Sequence, residues 1–293
     1  MHDDFARILQ GLRSASLSVD DWKLLVTHCS EAAIKVRIGE DAFKANFLDG
    51  DATHYFFGNK ERAAHNVKAM CSSGRPILRV DAVNTPEGAK SLSADAMQKV
   101  PNVAYFTHDS RQMWLRNVKG RTKHGICNGA KFQPKNFIFA ASDGPPGLPI
   151  GIIAEMPGYT GPPFFCEEGR EKWVVLRPVQ VEFHSMHQST RVREGFPTSL
   201  CYGLTAHKCQ GTTNRGYGVV HFGDRESAEN GSYTMVSRMT TMNNLYIPGG
   251  CSYSRLSTSL NTKKFRQRVE EEKRLDKVCE KTKNWWALRS GRL

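Results

Sequence analysis

The sequence predicts an α/β fold interrupted by an all-β module. Three observations carry this. Helix-spaced apolar residues alternate with short strand-like runs near the start of the chain. From Gly125 to Phe183 the texture changes to β-rich runs set between Gly/Pro clusters. Mixed helix and strand texture returns after Phe196. At 293 residues the chain has length for about two domains.

Phe5, Ile8, Leu9 and Leu12 recur at helical spacing and predict a first helix. Ser18, followed by Asp20 and Asp21, reads as the N-cap of a second helix holding Trp22, Leu24 and Leu25. Thr53 to Phe57 is a strand candidate, broken by Gly58 and Asn59, and Lys60 to Met70 reads as a helix. Pro76 to Val83 and Gln112 to Asn117 read as strands. In the β-rich middle, strands are expected at Asn136 to Ala141, Gly151 to Met156 and Lys172 to Phe183. The breaks between them are Asp143-Gly144-Pro145-Pro146 and Gly161-Pro162-Pro163. Strands are expected again at Leu200 to Leu204, Gly218 to Phe222 and Leu245 to Ile247, with a helix near Ser232 to Thr241. The tail from Lys263 is charge-dense, with a weak apolar face of Phe265, Val269, Leu275 and Val278. It reads as one exposed helix ending before Trp285-Trp286.

Lys and Arg number 41 against 29 Asp and Glu, a formal net charge of +12. That excess favours a polyanionic partner, nucleic acid first and an anionic membrane surface second. No apolar run approaches the roughly 18 residues of a membrane helix, so no spanning segment is expected. The opening MHDDFARILQ lacks a basic region and an apolar core, so it reads as neither a secretory signal nor a transit peptide. The eight cysteines are scattered without a C-x-x-C pair, which removes support for a zinc ribbon or a thioredoxin-like motif. Reduced thiols in an intracellular compartment are the expectation.

The richest stretch runs from Phe196 to Thr213, FPTSLCYGLTAHKCQGTT. A short apolar strand enters a polar turn and then a glycine, the kind of place where ligands sit in open α/β sheets. Thr205, His207, Lys208 and Gln210 offer hydroxyl, imidazole, ammonium and amide groups, all suited to phosphates and sugars. The stretch resembles motif V of superfamily 1 DNA helicases of the RecD and PIF (petite integration frequency) type, a phrase like FPL-x-x-AYALTIHKSQG-x-T. Gly203 stands where Ala is usual, Ala206 where Ile is usual and Cys209 where Ser is usual. Tyr233 to Thr240 (YTMVSRMT), with Leu245-Tyr246-Ile247 beyond, resembles motif VI. Met113 to Asn117 and Gly125 to Gly129 resemble the entry to the family's β insertion. Tyr55 to Asn66 resembles its motif IV region, and Asp4 to Leu25 is similar to the helical segment after motif III. The resemblance covers about residues 1 to 258.

It implies the second of two RecA-like domains, of P-loop NTPase type without its own P-loop, carrying an SH3-like β insertion. The borders expected from it are a helical lead-in at 1–45, a discontinuous RecA-like domain at 46–124 and 186–258, the insertion at 125–185 and a basic helical tail at 259–293. Arg238 would be the arginine finger, because a guanidinium is always charged and forks onto phosphate oxygens. Gln210 and Gly211 would lie at the nucleotide-sensing edge, with Ser237 orienting the motif VI loop. Thr205 and His207 would contact the DNA backbone, with Lys208 adding charge. ATP and Mg²⁺ are the implied cofactors of the complete enzyme, single-stranded DNA its partner, and nucleus or mitochondrion its place. No resident metal and no membrane partner are expected.

One departure qualifies this. Neither a Gly-Lys nor an Asp-Glu dipeptide occurs, so the Walker A and B elements are missing from the sequence. The chain alone is therefore expected to bind no nucleotide tightly and not to hydrolyse ATP. A first RecA-like domain would act in cis or in trans. The alternative is a non-enzymatic nucleic-acid-binding remnant of a helicase, of transposon origin for example.

Plainer readings stand beside these. Cys201, His207 and Cys209 fit no standard zinc spacing, and Cys209 with His207 lacks the third group of a hydrolase. Arg238 could be a surface arginine in an ion pair. Tyr105, Phe106, Trp114 and Trp173 could stack on bases or simply pack in a core. The tail could meet phosphates or be a solvated helix with pairs such as Glu270 with Arg274.

Overall fold

The computed structural model describes residues 2–49, 52–185, 188–224, 230–257 and 263–290. The chain divides into two compact units, Met1–Arg62 with Leu204–Leu293, and Ala63–Gly203.

The first unit is built on a four-stranded sheet in the order Gly203–Thr205, Thr53–Phe56, Gly218–Val220 and Leu245–Tyr246. Thr53–Phe56 runs parallel to Gly218–Val220, which runs parallel to Leu245–Tyr246. Parallel strands need crossovers, and the one from Gly218–Val220 to Leu245–Tyr246 carries the helix Gly231–Val236, while three longer helices precede the first strand. The helix His2–Ser14 buries Phe5, Ile8 and Leu12 and keeps Asp3 and Asp4 in its first turn, where the helix dipole favours carboxylates. Ser18 caps the helix Val19–His28, its Oγ accepting from the Asp21 amide at 3.0 Å. Ser30 does the same for a further helix, Glu31–Ile38, by accepting from the Ala33 amide at 3.3 Å. Behind the sheet, Phe43 and Phe47 meet Tyr246 and Tyr217 edge to face at 5.1 and 5.0 Å, closing a core with Ile34, Ala52 and Val219.

The helix Lys263–Ser290 also belongs to this unit. It does not end before Trp285-Trp286 as the sequence reading had it. No Gly or Pro interrupts 263–290, and the Lys, Arg, Glu and Leu residues there are good helix formers. Within it Arg274 pairs with Glu271, at 2.6 and 2.7 Å, rather than with Glu270.

The second unit is antiparallel. A five-stranded sheet has the order Thr198–Leu200, Gln112–Trp114, Lys131–Ile138, Gly151–Glu155 and Trp173–Leu176. Its core holds Val80, Phe106, Trp114, Phe132, Ile152, Val174, Leu176 and Phe196. A three-stranded sheet joins Val83–Thr85, Gln188–Gly195 and Val179–Ser185, and Leu78–Asp81 pairs with Val103–Phe106. The β-rich region thus extends beyond the Gly/Pro-punctuated 125–185. The strands Gln112–Trp114 and Thr198–Leu200, outside that range, pair with each other and share its sheet. Of 46–124, only the part up to Arg62 lies in the first unit. The expected borders at 186 and at 258–259 lie outside the described residues.

The single strand expected at Leu200 to Leu204 is two, separated at Cys201-Tyr202. Asn66, 3% exposed, clamps this break. Its Nδ2 donates to the Leu200 and Gly203 carbonyls at 3.0 and 3.3 Å, and its Oδ1 accepts from the Gly203 amide at 2.6 Å. One side chain thus serves a main-chain amide and two carbonyls at the break.

Arg193 is wholly buried. It donates to the Asn84 Oδ1 at 2.8 Å and to the carbonyls of Val100, Ala89 and Leu92 at 3.0, 2.7 and 3.0 Å. Its charge is solvated by dipoles, and burial pushes its pKa down.

Candidate nucleotide and nucleic-acid site

The strand Gly203–Thr205 delivers the chain into a single helical turn, Ala206–Cys209. Thr205 is the cap residue, extended at φ −85° and ψ 159°, but its side chain makes no cap hydrogen bond and is buried. His207, Lys208 and Gln210 are exposed. Of the three residues expected at nucleic acid, two are therefore on the surface of this turn and the third lies beneath it.

Gly211 follows at φ +80°, in the left-handed region where a side chain is strained. The reversal it permits folds Thr212 back, so that both its amide and its hydroxyl donate to the Cys209 carbonyl, at 3.1 and 2.7 Å. Cys209 is fully buried and its Sγ donates to the Ala206 carbonyl at 3.2 Å. Burial pushes this thiol up to about 11, so it stays neutral and is no nucleophile. The bond is one that a serine hydroxyl could equally make.

The helix Gly231–Val236 leads into Ser237 and Arg238. Arg238 is half-buried and held by three hydrogen bonds. Nε donates to the Thr234 carbonyl, Nη1 to the Thr212 carbonyl and Nη2 to the Ser237 Oγ, each at 2.8 Å. Ser237 Oγ in turn donates to the Thr234 carbonyl at 3.2 Å. The two segments are stitched again by the main chain, the Asn214 amide donating to the Arg238 carbonyl at 2.7 Å. Asn214 Nδ2 then reaches the Tyr55 hydroxyl at 3.1 Å and the Tyr217 carbonyl at 3.0 Å. Burial pushes the Tyr55 phenol up to about 12, so it is a neutral partner.

The structure thus brings Ser237 and Arg238 onto the loop that follows Gln210 and Gly211. Three of the five N–H donors of Arg238 are used, and among the described residues no carboxylate lies within ion-pair distance of it. A cation so placed suits a phosphate, and the residues present fit that group. Thr212, Thr234 and Asn214 were not legible as participants, because two of them act through carbonyl oxygens that every residue type carries.

An open cavity of about 670 Å³ lies at the carboxyl ends of Thr53–Phe56 and Gly218–Val220, lined by Phe56, Phe57, Gly58, Glu61, His221, Gly223 and Asp224. The position could have been anticipated from the general rule for open α/β sheets. Phe56 stacks on His221 at 4.4 Å, and His221 Nε2 meets His54 Nδ1 at 3.0 Å. Its two carboxylates make it a poor seat for phosphate. Of the four aromatics weighed as stacking platforms, Phe106 and Trp114 are core residues, Tyr105 is exposed, and Trp173 carries Arg170 at 4.8 Å over its ring. Among the described residues no group of three His, Cys, Asp or Glu could hold a metal ion, and no helix is long and apolar enough to cross a membrane.

The parallel sheet of the first unit and the antiparallel sheets of the second define a mixed α/β protein. Its fold matches part of Pif1 helicase structures. The Candida albicans Pif1 helicase superposes with a TM-score of 0.67 at 17% identity, over 94% of this chain and 58% of that one. Bacteroides Pif1 bound to single-stranded DNA gives 0.61 at 14% identity, over 94% and 54%. The Bacteroides helicase with ADP-AlF3 and single-stranded DNA gives 0.60 at 15%, over 92% and 54%. The chain spans a little over half the length of these structures, and at such identities the likeness is one of fold. No family model matches the sequence, and no curated protein matches it significantly.

Proposed function

We propose that this chain is the C-terminal portion of a PIF-type, ATP-dependent 5′-to-3′ DNA helicase. In this reading it binds single-stranded DNA and supplies Arg238 to a Walker-containing domain in cis or in trans. The observation that carries it is the Arg238 clamp, a motif VI guanidinium docked by Ser237 and by the Thr212 carbonyl, on a fold that matches Pif1 structures. ATP and Mg²⁺ are cofactors of the complete enzyme. Toward ATP, Arg238 would offer its remaining N–H donors to phosphate oxygens, with Gln210 and Gly211 on the adjoining edge. His207 and Lys208 would meet the DNA backbone as exposed cation and donor, with Thr205 setting the start of their turn. Genome maintenance, as in repair, recombination or telomere upkeep, is the setting this reading implies.

The test is fluorescence anisotropy of labelled single-stranded DNA with the full chain across a salt series, with an ATPase assay beside it. Salt-sensitive binding without hydrolysis is expected. DNA-stimulated hydrolysis by the chain alone, or no binding at low salt, overturns the reading.

A further inference from the structure

The helix Lys263–Ser290 carries a surface that the proposed helicase role does not use. Its 28 residues span about 42 Å at 1.5 Å per residue. The first turns are tied down, Arg268 Nη2 donating to the Arg13 carbonyl at 2.6 Å and Glu272 meeting Arg13 at 3.4 Å. From Lys273 to Trp286 every residue is exposed. That includes Leu275 at 49%, Val278 at 45%, Trp285 at 47% and Trp286 at 62%. With about 100° between successive residues, Leu275, Val278, Cys279, Thr282, Trp285 and Trp286 share one arc of about 120°. Two exposed tryptophans side by side on a free helix face are a large apolar liability unless something covers them.

Charge identifies the occupant. Residues 263–290 hold ten Lys and Arg against five Asp and Glu. Arg274 and Lys281 border the apolar arc, so a second copy of the helix would set cation against cation. Arg274 is held by Glu271 and Lys283 by Glu280, whereas Lys277 and Lys281 have no carboxylate partner among the described residues. The aromatic part of the arc is concentrated at one end. There Trp285 and Trp286 stand at 88° with centroids 5.0 Å apart, and Arg289 lies 4.2 Å over the Trp285 ring. Flat rings with cations beside them form a platform for unpaired bases and their phosphates. The arc is interrupted by Thr282 and carries both rings at one end, a shorter apolar stripe than a helix lying in a bilayer buries, and duplex DNA hides the faces of its bases.

We propose that this helix is a second single-stranded DNA contact, with bases stacking on Trp285 and Trp286 and phosphates meeting Lys281 and Arg289, one turn before and one turn after Trp285. It shares its ligand with the proposed helicase role but rests on different residues. The test is oligo(dT) titration of the full chain, followed by anisotropy and by tryptophan fluorescence, with phosphatidylserine vesicles and sedimentation as parallel arms. The expected results are quenching by oligo(dT) and an affinity at least about tenfold weaker in W285A/W286A. W285F/W286F should keep most of the affinity, which separates stacking from folding. K281Q/R289Q should flatten the slope of log affinity against log salt by about 1.4. Unchanged affinity in W285A/W286A overturns the proposal. So does a fluorescence blue shift with vesicles alone, or self-association that the double variant abolishes. If H207A/K208A loses all binding and W285A/W286A none, this proposal fails alone. If the pattern is reversed, the helix contact stands and the motif V assignment falls.

Discussion

Arg238 Nη1 donates to the carbonyl oxygen of Thr212 at 2.8 Å, across 26 residues of sequence. The bond joins the loop after the basic turn to the segment proposed to reach nucleotide. Thr212 is itself doubly bonded to the Cys209 carbonyl, so a continuous run of hydrogen bonds joins the turn at 206–209 to the guanidinium.

Arg238→Ala is expected to leave single-stranded DNA affinity of the chain within about twofold, because its hydrogen bonds go to Thr212, Thr234 and Ser237 and not to His207 or Lys208. In a complete enzyme with its Walker domain, hydrolysis should fall by about 10³-fold or more, the scale of an arginine finger. Arg238→Lys should recover little, since an ammonium cannot span the Thr212, Thr234 and Ser237 acceptors at once. Steady-state ATPase rates of the reconstituted protein check this. A variant that hydrolyses normally removes Arg238 from the chemistry.

Asn66→Ala should destabilise the second unit by about 2–3 kcal/mol. It strips one amide and two carbonyls of their buried partner at the break between two strands. Asn66→Asp should be no better, since a carboxylate would face the Leu200 and Gly203 carbonyls. Urea unfolding measures it, and a loss below about 0.5 kcal/mol would show that water or a local shift satisfies those groups.

Part of this was legible in the sequence and part was not, for identifiable reasons. Ser18 announced its helix because the cap signal is local and Asp20 and Asp21 follow it, whereas Ser30 precedes a short helix with little apolar periodicity. The antiparallel sheet reaches beyond the Gly/Pro-punctuated 125–185. Its outer strands pair between Thr198–Leu200 and Gln112–Trp114, more than 80 residues apart, and no Gly/Pro cluster marks them. The resemblance of Tyr233 to Thr240 to motif VI pointed to Arg238 and Ser237 by residue type. The Thr212 carbonyl that anchors the arginine carries no such signature. Nor could the sequence distinguish Arg193, which is wholly buried, from Arg191, two residues earlier on the same face of the same strand and only partly buried.

Arg193→Met should cost the second unit about 3 kcal/mol or more, because four acceptors gathered around the guanidinium lose their donor together. Arg193→Lys should remain well below wild type, as a single ammonium cannot reach acceptors spread over Asn84, Ala89, Leu92 and Val100. Denaturant midpoints of the two variants decide it. A methionine variant as stable as wild type would mean that apolar filling replaces the buried charge at no net cost.

Asp109 gives a prediction with a defined pH window. Burial alone would raise its carboxyl, but hydrogen bonds from Lys135 at 2.6 Å and Arg75 at 2.8 Å outweigh this and hold it at about 2, below its ordinary 3.8. The folded form therefore favours the ionised carboxylate. Its contribution is fully present above pH 3.8 and is lost as pH falls from there through about 2. Asp109→Asn should lower stability by about 1 kcal/mol at pH 7, after allowance for the side chain's partial exposure. The loss should be moderate because Lys135 keeps Glu155 at 2.8 Å. The gap between wild type and variant should stay constant from pH 7 to about 4.5 and close toward pH 2, as followed by urea unfolding at stepped pH. A gap that persists unchanged at pH 2 would mean that Asp109 acts through shape and not through its charge.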